Sequence, residues 1–477
     1  MKINQLLILS LFFLLPFISY SQTGHGFGFD NYNGIYGVIT NPANSAQSKY
    51  RWHINGVSYH QMGIADYGAI DYFDIETNPN AFNGLNFSEN IDESSNANFM
   101  VSDSDVLLPS VLYNINNNHA VSLILRSRAF SDYTGFNGQL FSALNNDFEN
   151  AEEAAFNSTF NNTSNYWKEV GLNYALVLLN SNYHFIKIGG TAKYLMGSKA
   201  VEARGTITGN YTPSTSGNVT ITDLDLTYLS TTENNLPNNP KKFYTTAFGN
   251  FDNNGTGYGG DIGLVYEWRP RETNRVDVRS NAGAINTYKL KISAAVLDIG
   301  QITYEHMANI EPKRGVGLDQ LTNTNGATIS VEKNEIIDNG LINALKANTN
   351  VSPNPQQGEV TFVLPQTLNI GLDYIIFNDK SYYVNINYIK SLTKNDDLYT
   401  NSRLDLITLT PRYETQKFSL YLPITYEQGS SDIYAGFGLR YGPITIGSAA
   451  LSSLVMDGKM KHVYFGLNLP LFQDIYR

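Results

Sequence analysis

Apolar and polar residues alternate along much of this chain, and the alternation restarts after each short cluster of turn residues. The clearest stretch runs from Gly358 to Phe472. Within it, Ile433, Ala435, Phe437, Leu439 and Tyr441 fall on one side, and Asp432, Tyr434, Gly436, Gly438 and Arg440 fall on the other. A side-chain period of two is the signature of a strand. The same reading predicts strands near 50–61, 105–116, 119–129, 166–180, 183–197, 257–269, 286–304, 359–377, 381–391, 402–413, 416–426, 432–441, 443–451 and 461–470. That is about fourteen, an even number, each near the length a tilted membrane strand needs.

Connection lengths sharpen the picture. Loops 62–104, 130–165, 198–256 and 305–358 are long, and the connections between them are mostly minimal, as at 117–118, Asn180 to Asn182 and Asn378 to Lys380. Long and short loops that alternate in this way belong on opposite rims of an up-and-down barrel. The connection 270–285 breaks the rule, so a strand there is open to misplacement. The fold class expected is all-β: a transmembrane antiparallel barrel with an N-terminal plug and long extracellular loops. Helix-like spacing at Gln139 to Phe156 and Glu332 to Ala347, and a projecting hairpin from Val201 to Tyr211 and Val219 to Leu229, are expected in those loops.

Period two also divides each strand into an outer and an inner row. Tyr288, Leu290, Ile292, Ala294 and Val296 oppose Lys289, Lys291 and Ser293; Tyr258, Ile262, Leu264, Tyr266 and Trp268 oppose Asp261, Glu267 and Arg269. Val121, Leu123 and Leu125 oppose Ser122, Arg126 and Arg128. The apolar row must face hydrocarbon, because Lys or Arg on that face costs ~2–4 kcal/mol at the midplane. The lumen is then charged with both signs. Arg126, Arg128, Lys187, Lys193, Lys289, Lys291 and Arg440 are its candidate cations, and Glu169, Asp261, Glu267 and Asp373 its candidate anions. They form either a basic patch for an anionic head group or an ion-pair network that fills the lumen. Trp52, Trp167 and Trp268 are expected at strand ends, in the interfacial belt.

Composition narrows the class. The chain has 477 residues, 42% hydrophobic, 16% charged and 13% aromatic, with 32 tyrosines. A net charge of -11 and the lack of a basic run argue against nucleic acid. With no cysteine, disulfides, thiol nucleophiles and Cys-zinc sites are excluded. Lys2, the apolar run Ile3 to Ile18, and Ser19 and Ser21 form an export signal, with cleavage expected after Ser21. Beyond it no run reaches about 18 apolar residues. The expected division is 1–21 signal peptide, 22–49 plug, and 50–477 barrel.

Candidate chemistry is sparse. Asp252-Asn253-Asn254-Gly255-Thr256-Gly257 looks like the start of a calcium loop, but Gly263 stands where the bidentate Glu belongs. Ser102-Asp103-Ser104-Asp105 reads as a solvated turn. No HExxH or G-x-S-x-G motif occurs. No enzyme, metal or cofactor is expected.

Asp30-Asn31-Tyr32-Asn33-Gly34-Ile35 with Thr40-Asn41-Pro42-Ala43, Gly260 to Pro270, and Leu297-Asp298-Ile299-Gly300 carry a resemblance. Together they resemble a family of uncharacterised Bacteroidetes outer-membrane barrel proteins, a domain-of-unknown-function family. More distantly, the Asn41-Pro42-Ala43 turn is similar to that of the long-chain fatty-acid transporters. There an Asn-Pro-Ala turn belongs to an N-terminal hatch inside a fourteen-strand barrel. The resemblance implies that Asn41, Pro42 and Ala43 are hatch residues. It also implies a bacterial outer-membrane location, surrounding lipid, and passive uptake of a small hydrophobic or amphipathic molecule. The alternative is a non-transporting scaffold that partners secretion, motility or adhesion machinery in the envelope.

Overall fold

The computed structural model describes residues 26–65, 98–138, 154–181, 183–212, 218–231, 254–270, 288–305, 317–332, 341–356, 359–377, 380–394, 397, 399–454 and 459–472. The expected signal peptide, the Asp252-Asn253 start of the calcium-like loop, most of Gln139 to Phe156 and residues 271–285 lie outside them.

Fourteen antiparallel strands form a closed ring. They are β1 (Tyr50–Ala65), β2 (Asn98–Leu107 continued by Ser110–Asn114), β3 (His119–Phe136), β4 (Ala154–Asn180), β5 (His184–Thr212), β6 (Gly255–Trp268) and β7 (Leu290–Glu305). They continue as β8 (Glu359–Val363 and Thr367–Phe377), β9 (Lys380–Ser391), β10 (Leu406–Glu414), β11 (Phe418–Tyr421 and Ile424–Glu427), β12 (Ile433–Ala435 and Phe437–Tyr441), β13 (Ile444–Ser448) and β14 (Met460–Phe472). Each pairs with the next, and β14 closes on β1 from Tyr50↔Phe472 to Val57↔Leu467. Closure leaves no sheet edge at membrane depth, where an unpaired backbone group has no water to bind. Pro109, Pro365 and Pro423 sit at the breaks in β2, β8 and β11, where a residue without an N–H interrupts the ladder.

The outer rows are apolar. Tyr258, Ile262, Leu172, Leu264, Ile386, Leu467 and Leu469 are all exposed on the outer face. A contiguous apolar surface of this extent marks membrane contact in a closed barrel. The protein is therefore an outer-membrane β-barrel, with its short turns toward the periplasm and its long loops outside.

The wall is uneven. β4 has 27 residues and β5 has 29, whereas β13 has five. The upper part of β5, Val201–Thr212, pairs with the strand Asn218–Ser230, which is the projecting hairpin expected. Gly317–Asn323, Ile329–Glu332 and Val351–Gln356 extend that sheet outside the ring. The helix Leu341–Ala347 lies within the Glu332 to Ala347 stretch. Phe156, Ile207, Leu226, Leu321, Val331 and Leu345 belong to a separate apolar core there.

Four sequence expectations need correction. Trp167 is 1% exposed, whereas Trp52 is 42% and Trp268 40% exposed. β4 starts at Ala154, so Trp167 is a mid-strand residue and shares the inward parity of Glu169. Tyr288 is buried rather than lipid-facing, and donates its hydroxyl to Asp373 Oδ2 at 2.6 Å. β7 begins only at Leu290, so its alternation does not reach back to Tyr288 and Lys289. Asp103 and Asp105 lie buried in β2, not in a solvated turn. Finally, β10 begins at Leu406 rather than 402, and the residues before it fold into the barrel.

Candidate functional site: the lumen

The residues Gly26 to Lys49 lie inside the periplasmic half of the ring. A short helix, α1 (Ile35–Thr40), is wholly buried, and Ile35, Val38 and Ile39 cluster with Leu107, Leu112 and Ile124 of the wall. Asn41 turns extended and Pro42 follows, which ends the helix. The Asn41 side chain caps the next turn by accepting from Ala43 N at 3.0 Å. Its Nδ2 donates to the carbonyls of Leu264 (3.2 Å) and Ala294 (3.1 Å). Pro42 O accepts from Asn173 Nδ2 at 3.2 Å, and Ser45 Oγ donates to Asn173 Oδ1 at 2.6 Å.

Glycine makes this seat fit. A Cβ on Gly189 would lie 2.5 Å from Pro42 O and 2.7 Å from Ala43 N, and one on Gly263 would lie 2.1 Å from Asn41 Oδ1. The wall approaches the turn closely only because these two positions lack side chains.

Charged contacts fix the rest of the segment. Asp30 meets Arg440 Nε at 3.2 Å and accepts from the Tyr421 hydroxyl. Burial acts to raise the Asp30 pKa, but Arg440 and Tyr421 together hold it below the usual carboxylate value. Asn31 Nδ2 donates to Glu414 Oε1 at 2.8 Å. Lys187 donates to Ala46 O at 3.0 Å, and Arg269 to Gln47 Oε1 at 2.9 Å.

Beside this segment, Arg412 grips Asp373 with two hydrogen bonds of 2.6 and 2.7 Å and Glu414 with one of 2.9 Å. Lys291 Nζ lies 3.7 Å from Asp373, and Glu267 pairs with Arg269 at 2.6 Å.

A second ionic layer lies nearer the long-loop rim. Arg126 holds Asp105 and meets Glu169 at 2.8 Å. Arg128 meets Asp298 at 2.7 Å, and Lys193 meets Asp261 at 2.7 Å and Asp298 at 2.9 Å. Arg403 reaches Asp103 at 2.8 Å and Asp298 at 3.5 Å. Five carboxylates thus face four cations. Ile39 below and Arg403 above meet at a cavity with room for about one water molecule.

Above this layer apolar side chains pack together in the interior. Met62, Phe130, Trp167, Leu195, Tyr304 and Phe362 are among the buried members of one cluster, against which Tyr399 and Leu404 pack. These last two belong to the segment that precedes β10. It runs from the low side of the wall to the tall side, where Arg204 Nη2 donates to Asp397 O at 2.9 Å. Asn401 Nδ2 donates to Asp132 Oδ1 at 2.6 Å. Arg128 stacks over Trp167 at 4.8 Å and Arg403 over Phe130 at 5.7 Å, so the charged layer and the apolar cluster share a boundary. Arg128 Nε and Nη2 and Arg403 Nε are buried there without a hydrogen-bond acceptor.

Of the candidate residues, Arg126, Arg128, Lys193 and Asp261 meet in the upper layer. Lys187, Glu267, Lys291, Asp373 and Arg440 lie around the amino-terminal segment. Lys289 does not join either: its ammonium donates to Ile375 O at 2.7 Å and lies over the outward ring of Tyr374. Sequence reasoning missed Asp30, Asp105, Asp298, Arg403, Arg412 and Glu414. Arg412 and Glu414 share the inward parity of Thr408 and Thr410, a usable signal. Asp298 carried none, because it adopts φ 58° beside Gly300 at φ 152° where the β6–β7 register slips. Among the described residues no group of three or more His, Cys, Asp or Glu is arranged to hold a metal.

A profile described as "Family of unknown function (DUF5723)" matches residues 42–449. The chain belongs to that family. No curated protein matches it. Among solved structures it is similar to the Ralstonia pickettii toluene transporter TbuX, at 11% identity and TM-score 0.35, covering 95% of this chain and 97% of that one. It is also similar to the deltaS2S3 mutant of the TodX monoaromatic hydrocarbon channel, at 9% identity and TM-score 0.42, covering 94% and 97%. A Pseudomonas aeruginosa FadL homologue gives 12% identity and TM-score 0.29, covering 95% and 98%.

Proposed function

We propose that this barrel is a closed-state passive conduit for a small hydrophobic or amphipathic molecule entering from outside the cell. One observation carries the reading. The outer half of the lumen is filled by an apolar cluster that includes Met62 and Phe362, over a charged floor, and its roof is a loop segment rather than wall. Once the roof segment moves aside, this apolar lining suits a hydrocarbon body. The guanidinium edges of Arg128 and Arg403 at its floor suit a polar end.

Residues 22–49 act as the plug on the periplasmic side. From Gly26 on, the segment is held to the barrel wall by hydrogen bonds and ion pairs and runs into the ring at Tyr50, so it can leave without opening the ring. Liposome uptake of small aromatic and amphipathic probes, with and without residues 22–49, tests this. Uptake should rise when the plug is removed. Equal uptake from both forms would remove the support for a conduit.

The alternative scaffold reading has its own observation. The sheet outside the ring has a separate core and projects from the tall wall. Capture of an envelope partner that is lost when 198–256 and 305–358 are deleted, with uptake absent in every form, would favour it.

A further inference from the structure

The outer face carries a charged group that the conduit reading does not use. β1 has a bulge at Arg51: its register with β14 runs Tyr50↔Phe472 and then Trp52↔Leu471, so Arg51 has no residue opposite it. Tyr50 and His53 are buried, whereas Arg51 and Trp52 are both exposed. Successive side chains of a regular strand alternate between its faces, and the bulge is what lets these two neighbours share the outer one. Arg51 Nη2 donates to the Tyr113 hydroxyl at 3.1 Å, and the guanidinium carbon lies 5.2 Å from the centre of that ring. Trp52 pairs with Tyr113 across the strands and stacks on it at 4.2 Å.

This group stands at the periplasmic end of the wall, where β1 follows the amino-terminal segment and β14 closes the ring. Ile115, Leu469 and Leu471 are exposed apolar side chains at the same end of β2 and β14. Among the described residues no carboxylate meets Arg51, and its one hydrogen bond, to Tyr113, leaves the rest of the guanidinium fork open. That planar fork matches a phosphate in two-point contact. Elsewhere on this rim His119 Nδ1 lies 2.8 Å from the Tyr174 hydroxyl and His184 Nδ1 2.9 Å from the Tyr266 hydroxyl, and neither pair includes a guanidinium.

We propose that Arg51, Trp52 and Tyr113 bind an anionic glycerophospholipid of the periplasmic leaflet, with the phosphodiester on the Arg51 guanidinium and the acyl chains along Leu469, Leu471 and Ile115. The occupant is a membrane lipid because the site is continuous with the apolar outer face. It belongs to the periplasmic leaflet because the long-loop rim lies at the opposite end of these strands. It is anionic because a zwitterionic head group brings its own ammonium, which a guanidinium repels, whereas phosphatidylglycerol brings none. The inference does not rest on the conduit reading, since the lipid lies outside the ring and its binding is measured without transport.

Tryptophan fluorescence in phosphatidylcholine vesicles tests it. In the Trp268→Phe chain Trp52 is the tryptophan that meets lipid, because Trp167 is buried inside the ring. Brominated phosphatidylglycerol and brominated phosphatidylcholine are compared as quenchers at equal mole fraction. Trp52 should report about fivefold enrichment of phosphatidylglycerol, the effect of one basic side chain at an anionic lipid surface. Arg51→Gln should abolish the enrichment and Arg51→Lys should keep part of it. In the Trp52→Phe chain, Trp268, which pairs with His184, should respond alike with and without Arg51→Gln. Heat-modifiable gel migration checks that each variant is folded. Salt at about 1 M, where charges are screened beyond about 3 Å, should suppress the enrichment at Trp52 with Arg51 in place, and that comparison decides alone if Arg51→Gln does not fold. Equal quenching of Trp52 by the two lipids, enrichment that survives Arg51→Gln, or enrichment that ignores salt would each overturn the proposal and leave Arg51 an unselective residue of the interfacial belt.

Discussion

The seat of the Asn41-Pro42-Ala43 turn can be broken without touching the ring. Gly189→Ala places a methyl group 2.5 Å from Pro42 O and 2.7 Å from Ala43 N. Both are backbone atoms, so no rotamer change relieves the clash, and the turn must move by several tenths of an ångström. Four hydrogen bonds hold it: two from Asn41 to the carbonyls of Leu264 and Ala294, and two through Asn173 to Pro42 and Ser45. At about 0.5–1.5 kcal/mol each, losing them costs about 2–6 kcal/mol. The wall itself should not suffer, because alanine in a strand is no worse than glycine.

A loss of about 2 kcal/mol already raises the unseated population about 30-fold. Proteolysis of the segment reports that population when opening and closing are fast relative to cleavage. Cleavage between Gly26 and Lys49 should therefore accelerate by about 30-fold or more, while the barrel keeps its heat-modifiable migration. Uptake of small apolar probes should rise in parallel. An unchanged cleavage rate in a folded barrel would refute the steric argument. Faster cleavage with no change in uptake would instead refute the role of this segment as the periplasmic stopper.

Three further outcomes follow from the lumen. In variants that each retain one tryptophan, brominated lipid should quench Trp52 and Trp268 and spare Trp167, whose indole lies inside under Arg128. Arg412→Met should destabilise the barrel by about 3–5 kcal/mol in urea, because Asp373 and Glu414 would remain buried without their principal partner. Adding Asp373→Asn should recover part of that loss. For Asp30, whose folded pKa is depressed, the stabilisation is complete above the ordinary carboxylate value of about 3.9 and is lost as pH falls through the folded value. The Asp30 contribution to protection of the amino-terminal segment, read as the difference between the native chain and Asp30→Asn, should thus be flat from about pH 8 to pH 5 and fade only in stronger acid.

What could be read from the sequence follows from which forces are local. Membrane strands must alternate, because a lipid-facing charge has no remedy, so all fourteen ring strands and most of their inner rows were legible from period two. The signal failed where backbone geometry departs from the pleat. Asp298 sits at a positive φ beside a register slip, and Tyr288 and Lys289 precede the first regular residue of β7. It failed again where charge is inside for a reason other than parity. Arg403 and Asn401 enter the lumen on a loop, and Asp30 enters on the amino-terminal segment, so no strand pattern could assign their partners.

On the proposed reading those residues are also the ones that close the lumen. The wall alone presents carboxylates such as Asp103 and Asp132 and the guanidinium of Arg440 to the interior. Arg403 and Asn401 answer the first two from the roof, and Asp30 answers the third from below. Removing either stopper therefore leaves buried charge on the wall, which only water, an ion or a ligand's polar end can satisfy. The same electrostatics that hold the barrel shut favour a polar or charged occupant at its floor once it opens. A purely hydrocarbon probe should accordingly bind the opened lumen less tightly than one of equal size that carries a hydroxyl. Equal affinity for the two would show that the apolar lining alone determines binding.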